Sequence, residues 1–136
     1  MSENKKQRAG GFLLKDGKIL IIRQVFNGEE FFTIPGGTVE PGETFEETLY
    51  REFLEETSLK IEIEKFLFEI IDDRQAKYYL VKYIDGELKL GGPEKERMNE
   101  NDQYYLEWYT PEEASKLPFY PRIMGSKIKE FLVDSK

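Results

Sequence analysis

The stretch Gly37-Thr-Val-Glu-Pro-Gly-Glu43-Thr-Phe-Glu-Glu-Thr-Leu-Tyr-Arg51-Glu52-Phe-Leu-Glu55-Glu56-Thr-Ser-Leu59 carries most of what this sequence says about its fold. Glu40-Pro41-Gly42-Glu43 places Pro and Gly where a type II turn wants them. Thr44-Phe45-Glu46-Glu47 follows as a capping box, with Thr44 as N-cap and Glu47 reaching back from the third helical position. The pattern predicts a helix running to about Thr57. At roughly 100° per residue, Phe45, Leu49 and Phe53 form one apolar stripe. Glu52, Glu55 and Glu56 lie within an arc of roughly 100° that borders and overlaps this stripe.

Such a placement is locally unfavourable. Like charges four apart, as at Glu52 and Glu56, cost about 0.2–0.5 kcal/mol. Acidic groups in the last turns oppose the helix dipole, at about 0.3–1 kcal/mol. Arg51 is expected to offset one charge at most. A solvated acidic face is the ordinary fate of such residues, but these three point inward. A divalent cation reverses the sign of the first penalty, because carboxylates three and four apart can offer several oxygens to one ion.

Outward from this helix, the composition narrows the chemistry. The chain has 136 residues, a net charge of −7, and neither His nor Cys. Disulfides, thiolate nucleophiles, Ser-His-Asp triads and His-ligated zinc are excluded. Any metal site must be built from oxygens, which favours Mg²⁺, Mn²⁺ or Ca²⁺. The acidity is local: residues 40–56 contain seven Glu against Arg51 alone, and the rest of the chain is close to neutral. A large nucleic-acid interface is not expected from this balance. Apolar runs reach only four residues (Ile19–Ile22, Tyr78–Val81), so no membrane span is expected, and the default location is cytoplasmic.

Residues 1–8 are polar and expected to be frayed, with one domain over 9–136. Gly11–Leu14 and Lys18–Arg23 read as strands joined at Asp16-Gly17, a hairpin dipeptide. Phe31–Ile34, Lys60–Ile71, Lys77–Ile84 and Gln103–Tyr109 are further strands, with a turn at Asp72-Asp73. Pro111 starts a short helix. Arg122–Val133 reads as an amphipathic helix with Ile123, Ile128, Phe131 and Leu132 inward. Grouped strands with intervening helices give an α+β fold with a mixed β-sheet and helices packed on it.

Gly37, Glu43, Arg51-Glu52, Phe53, Glu55-Glu56 and Leu59 stand at the spacing of the signature box of the Nudix (MutT-like) hydrolases, which this sequence resembles over Gly37–Leu59. The preceding Ile34-Pro35-Gly36-Gly37 is also similar. Two positions depart: Ser58 stands where the family has Gly, and Phe53 where it has an aliphatic residue. The resemblance implies an α/β/α sandwich. It also implies a hydrolase that cleaves a diphosphate linkage in a nucleoside diphosphate linked to X, by attack of water at phosphorus. By that resemblance Glu52 and Glu56 are metal ligands for Mg²⁺ or Mn²⁺, and Glu55 is a ligand directly or through water. Glu43 is a candidate to orient the loop or hold a water, set evenly against helix-dipole stabilisation, and Arg51 to orient a box carboxylate, set against a surface ion pair. Gly36 and Gly37 are candidates to bring the backbone close to metal or phosphate, set against an ordinary turn.

The general base is left between a box Glu and a loop acid. The loop offers Glu94, Glu96, Glu100 and Asp102, with Glu100 the first candidate, against an ordinary solvated charge. Arg23 and Lys18 are candidate phosphate contacts, set against plain strand charges. Phe26, Phe32, Trp108 and Tyr109 are candidates to stack on a base, set against core roles. Markers of ADP-ribose, coenzyme A and dinucleoside-polyphosphate hydrolases are not evident, which leaves a nucleoside triphosphate or related nucleotide as the expected partner. The alternative is a non-catalytic nucleotide-sensing module on the same fold. A homodimer is compatible with either.

Overall fold

The computed structural model describes residues 6–91 and 98–134. Strands β1 (Lys6–Lys15), β2 (Lys18–Phe26), β3 (Glu29–Thr33) and β4 (Gly36–Thr38) precede helix α1 (Phe45–Thr57). Strands β5 (Lys60–Ile71), β6 (Arg74–Asp85) and β7 (Asp102–Tyr109) follow it. Helices α2 (Pro111–Ala114) and α3 (Met124–Ile128) close the chain, with α3 continued by a π-helical turn at Lys129–Val133.

The sheet divides into two halves joined at the β1–β2 hairpin, where Leu14 pairs with Ile19 and Lys15 with Lys18. In one half β1 lies between β4, antiparallel, and β6, parallel, while β5 pairs antiparallel with β6. In the other, β2 lies between β3 and β7, both antiparallel. One parallel pair among antiparallel ones makes the sheet mixed, as the element order suggests. Two apolar layers cover it. Leu49 and Phe53 of α1 pack with Ala9, Leu13, Leu59, Ile61, Tyr79 and Val81. On the opposite side Phe12, Ile19, Ile21, Tyr78, Ala114, Met124, Ile128 and Leu132 form the larger cluster. Tyr78 and Tyr79 point to opposite clusters, so β6 is buried on both faces as its apolar run predicts.

Two boundaries differ from the sequence reading. Lys6–Arg8 are not frayed: they pair with Arg74, Gln75 and Ala76, and Arg8 also pairs with Thr38. Strand pairing on both edges of β1 overrides their polarity. The last helix begins at Met124, two residues later than the sequence reading, with Ile123 exposed at its N-cap and Met124 buried.

Helix α1 begins where the capping box puts it. Glu47 N–H donates to Thr44 Oγ1 at 3.0 Å and Thr44 N–H to Glu47 Oε1 at 2.9 Å. The turn ahead of it is closed by Glu43 N–H donating to the Glu40 carbonyl at 2.9 Å. The helix ends at Ser58 in the left-handed conformation, φ 66°, ψ 14°. Ser58 N–H donates to the Leu54 carbonyl, while Lys89 and Gly91 N–H groups take the Thr57 and Glu56 carbonyls. Thus Ser58 keeps the glycine geometry despite its side chain, at a cost of about 1–2 kcal/mol. Part is offset by Ser58 Oγ donating to the Lys89 carbonyl at 3.2 Å. Ser58→Gly should therefore raise stability by about 1 kcal/mol, read as a higher denaturant midpoint at unchanged slope.

Candidate active site

The carboxylates of α1 face the Pro35-Gly36-Gly37 segment that leads into β4. Glu56 is 3% exposed, and its Oε1 accepts the Gly36 N–H at 3.0 Å. A Cβ on Gly37 would lie 2.2 Å from Glu52 Cδ, and one on Gly36 would lie 2.0 Å from the Ala9 carbonyl oxygen. Glycine at 36 lets the segment lie against β1, and glycine at 37 lets it lie against Glu52. The burial of Glu56 and the partial burial of Glu52 follow from the inward arc of the helix. Glu55 differs: its side chain is half exposed, on the outer edge of the arc.

Arg51 binds more carboxylates than its single charge suggests. Its Nε and Nη2 donate to Glu43 Oε2 and Oε1 at 2.7 and 2.9 Å, a two-pronged pair. Its Nη1 donates to Glu52 at 3.1 Å and to Glu55 at 3.0 Å. Glu43 also accepts from Thr48 Oγ1 at 2.7 Å and Glu40 N–H at 3.0 Å. These donors, Arg51 first, hold the Glu43 carboxyl down at about 2. The carboxylates in turn raise the Arg51 pKa, with the Glu43 hydrogen bond the largest cause. A depressed carboxyl pKa contributes stability above its unfolded value near 4.5, and that contribution fades as pH falls from there through about 2. A carboxyl-carbon NMR titration should place the Glu43 midpoint near 2, and Arg51→Gln should move it upward.

Between the two halves of the sheet lies a cavity of about 500 Å³. Glu56 reaches it, together with Arg8, Gln24, Phe26, Arg74, Tyr104 and Tyr120. Gln24 Nε2 donates to Asp102 Oδ1 at 2.8 Å and to Tyr104 OH at 3.0 Å. The cavity thus joins one buried carboxylate, two guanidinium groups and several aromatic rings.

The NUDIX domain pattern matches residues 5–129, nearly the whole chain. The chain belongs to the Nudix family. It is 38% identical over 94 residues to the ADP-ribose pyrophosphatase of Methanocaldococcus jannaschii, covering 63% of this chain and 56% of that protein. It is 30% identical over 108 residues to a MutT-like protein of Streptomyces ambofaciens, covering 79% and 65%. The chain therefore spans under two thirds of the length of either relative. The MutT protein of Methanosarcina mazei shares the fold with a TM-score of 0.72 at 16% identity, over 100% of this chain and 99% of that one.

Within the Nudix box the donor chemistry fits a hard cation. The chain has no His or Cys, and Glu52 and Glu56 both face Gly36-Gly37. Among the described residues, however, no three acidic side chains are already gathered as a bound ion needs. Arg51 holds Glu52 and Glu55, while the Gly36 amide holds Glu56.

Other candidates fall elsewhere. Arg23 faces away from the cavity that its neighbours Ile22 and Gln24 line. Its guanidinium is paired with Glu107 at 3.0 Å and Glu30 at 3.1 Å and lies over the Tyr105 ring. Of the two readings set out for it, these ion pairs favour the plain strand charge, since strand alternation turns it away from the cavity. Lys18 is at the β1–β2 hairpin, away from these cavity residues in the strand register. Glu100 is exposed in the turn closed by Asn99 and Asp102 and is not among the cavity-lining residues. Glu94 and Glu96 lie outside the described residues. Phe32 is core, Tyr109 and Trp108 pack on the core, and Phe26 alone of the four aromatic candidates lines the cavity.

The sequence reading missed Arg8, Arg74, Gln24 and Tyr104. Arg8 was placed in a frayed terminus and Arg74 beside a turn. The signal for Gln24 was there: in a strand whose Ile22 is inward, residue 24 shares the face and residue 23 does not.

Proposed function

We propose that the chain hydrolyses a diphosphate linkage in a nucleoside diphosphate linked to X, with a nucleoside triphosphate or related nucleotide as the substrate class. The observation that carries this reading is the cavity in which box residue Glu56 meets two guanidinium groups and aromatic rings. Glu52 and Glu56 would hold Mg²⁺ or Mn²⁺, with Glu55 joining directly or through water. Such an ion neutralises phosphate charge and lowers the pKa of a reacting water. Arg51 positions Glu52 and Glu55, and Glu43 fixes Arg51 through the two-pronged pair. Phe26 and Tyr104 line the cavity and would be the rings for a base to stack on. The proton lost by the attacking water would go to a carboxylate not taken up by the metal, a box Glu or a loop acid; Glu100 is not among the residues lining this cavity.

One observation favours a second substrate. The relative from Methanocaldococcus jannaschii is an ADP-ribose pyrophosphatase, so ADP-ribose belongs beside the triphosphates as X varies. A hydrolysis panel of nucleoside triphosphates, ADP-ribose, nucleotide sugars and dinucleoside polyphosphates tests both, with Mg²⁺, Mn²⁺ or chelator. Turnover should require the metal. Reaction in ¹⁸O-labelled water identifies the phosphorus attacked. No product from any compound with either metal would replace the enzyme by a nucleotide-binding module.

A further inference from the structure

Four of the described arginines fall into two pairs. Arg23 and Arg51 are each tied to two or more carboxylates. Arg8 and Arg74, among the described residues, have no carboxylate within ion-pair distance. Arg8 Nη2 donates to the Ile34 carbonyl at 2.7 Å, and the Arg74 guanidinium lies 5.5 Å from the centre of the Tyr120 ring. Both residues are partly buried, and both line the cavity that Glu56 enters.

Their proximity follows from the sheet register. β1 and β6 run parallel, with Lys6 opposite Arg74 and Arg8 opposite Ala76. Strand alternation puts Arg8 and Arg74 on one face, two residues apart along the pair. The neutral partners that hold them, a carbonyl and an aromatic ring, orient the guanidinium planes without neutralising them. Asp72 lies near enough to Arg74 to feel its charge and Glu56 shares the cavity, but neither guanidinium is closed into a direct ion pair, so both keep donors for a phosphorylated ligand.

We infer that Arg8 and Arg74 form an anion clamp that grips diphosphate oxygens from the sheet side, facing the helix carboxylates, and that it binds this group without metal. The clamp rests on the diphosphate reading of the cavity and adds to it a binding step independent of the box. It answers a charge problem: the box carboxylates by themselves repel a diphosphate until a cation is present. With the clamp, substrate can dock first or metal can dock first.

Calorimetric titration of the full chain with inorganic pyrophosphate and with ADP, in chelator at low salt, tests this. Wild type should bind both, with affinity falling as salt rises. Arg8→Gln and Arg74→Gln should each weaken binding about tenfold or more, and the double variant should abolish it. Lys82→Gln, which removes one exposed charge from the far part of β6, serves as the charge control and should bind as wild type. Because Arg8 also holds the Ile34 carbonyl, Arg8→Lys and melting curves for every variant separate loss of fold from loss of the clamp. Absence of metal-free binding by wild type overturns the clamp, and so does equal binding by folded Arg74→Gln. If metal-free binding is lost in the variants but wild type hydrolyses nothing on the panel, the clamp stands and the enzyme reading falls. Metal-dependent hydrolysis with unchanged KM in Arg8→Gln and Arg74→Gln gives the reverse.

Discussion

Glu56→Gln should lower metal-dependent hydrolysis by about 10³-fold or more, since loss of a ligand forfeits several kcal/mol of charge stabilisation at about 1.4 kcal/mol per tenfold. The substitution preserves shape. The Gln side-chain oxygen still accepts the Gly36 N–H that Glu56 Oε1 takes at 3.0 Å. The charge removed is buried, in a residue only 3% exposed, so a melting curve shows whether the fold is intact when the rate is read. Glu52→Gln should behave similarly in rate and loses the charge pairing with Arg51. The check is kcat/KM with Mg²⁺ beside a melting curve for the same preparation. Activity within threefold of wild type in a folded Glu56→Gln protein would remove this residue from the metal site.

Phe53→Ala should lose about 3–5 kcal/mol of stability, the range for emptying a buried aromatic site, and lower the melting temperature by roughly 10–20 °C. Phe53 is fully buried in the layer between α1 and the sheet. A Cβ added at Gly11 would lie 3.0 Å from the Phe53 ring and 3.3 Å from Leu49. The ring therefore occupies space that the absent side chain of Gly11 leaves. This gives a physical reason for the departure from an aliphatic residue in the box: a larger side chain matched by a smaller partner on β1. The pairing is testable as a cycle. Gly11→Ala should destabilise the wild-type background and cost less, or become favourable, when combined with Phe53→Leu. Additive losses in the double variant would show that the two positions do not share this space.

The two experiments probe different properties of one helix. Phe53 and Leu49 hold α1 on the sheet, and Glu52 and Glu56 use the position so fixed to face Gly36-Gly37. A loss of packing at Phe53 should therefore reduce activity only as far as the helix shifts, whereas Glu56→Gln should reduce it in an intact fold.

How much of this was readable in the residues depends on the range of the interaction. The helix was legible because its determinants are local: a capping box three residues apart, a Pro-Gly turn, and an apolar stripe at intervals of four. So was the inward placement of Glu52 and Glu56, which needs only helical geometry. The strands came from alternation and turn dipeptides, and the mixed sheet from their grouping. The helix end was read only as about Thr57, since Ser58 replaces the glycine of the family box; the left-handed Ser58 in the structure fixes it.

Tertiary structure alone decided the rest. Arg8 and Arg74 are 66 positions apart and become neighbours only through the parallel pairing of β1 with β6. No local pattern encodes that register, and the polarity of residues 1–8 argued against any strand there. Arg23 was open between a phosphate contact and a plain strand charge in the sequence, and its ion pairs with Glu107 and Glu30 on the face away from the cavity come only from the fold. Glu55 was placed with its helical neighbours by angle, yet Arg51 holds it at the exposed edge. Local spacing determined which residues share a helix face. Long-range strand pairing and charge partnership determined which of them meet at the cavity, because a side chain's partner is set by what the fold brings opposite it.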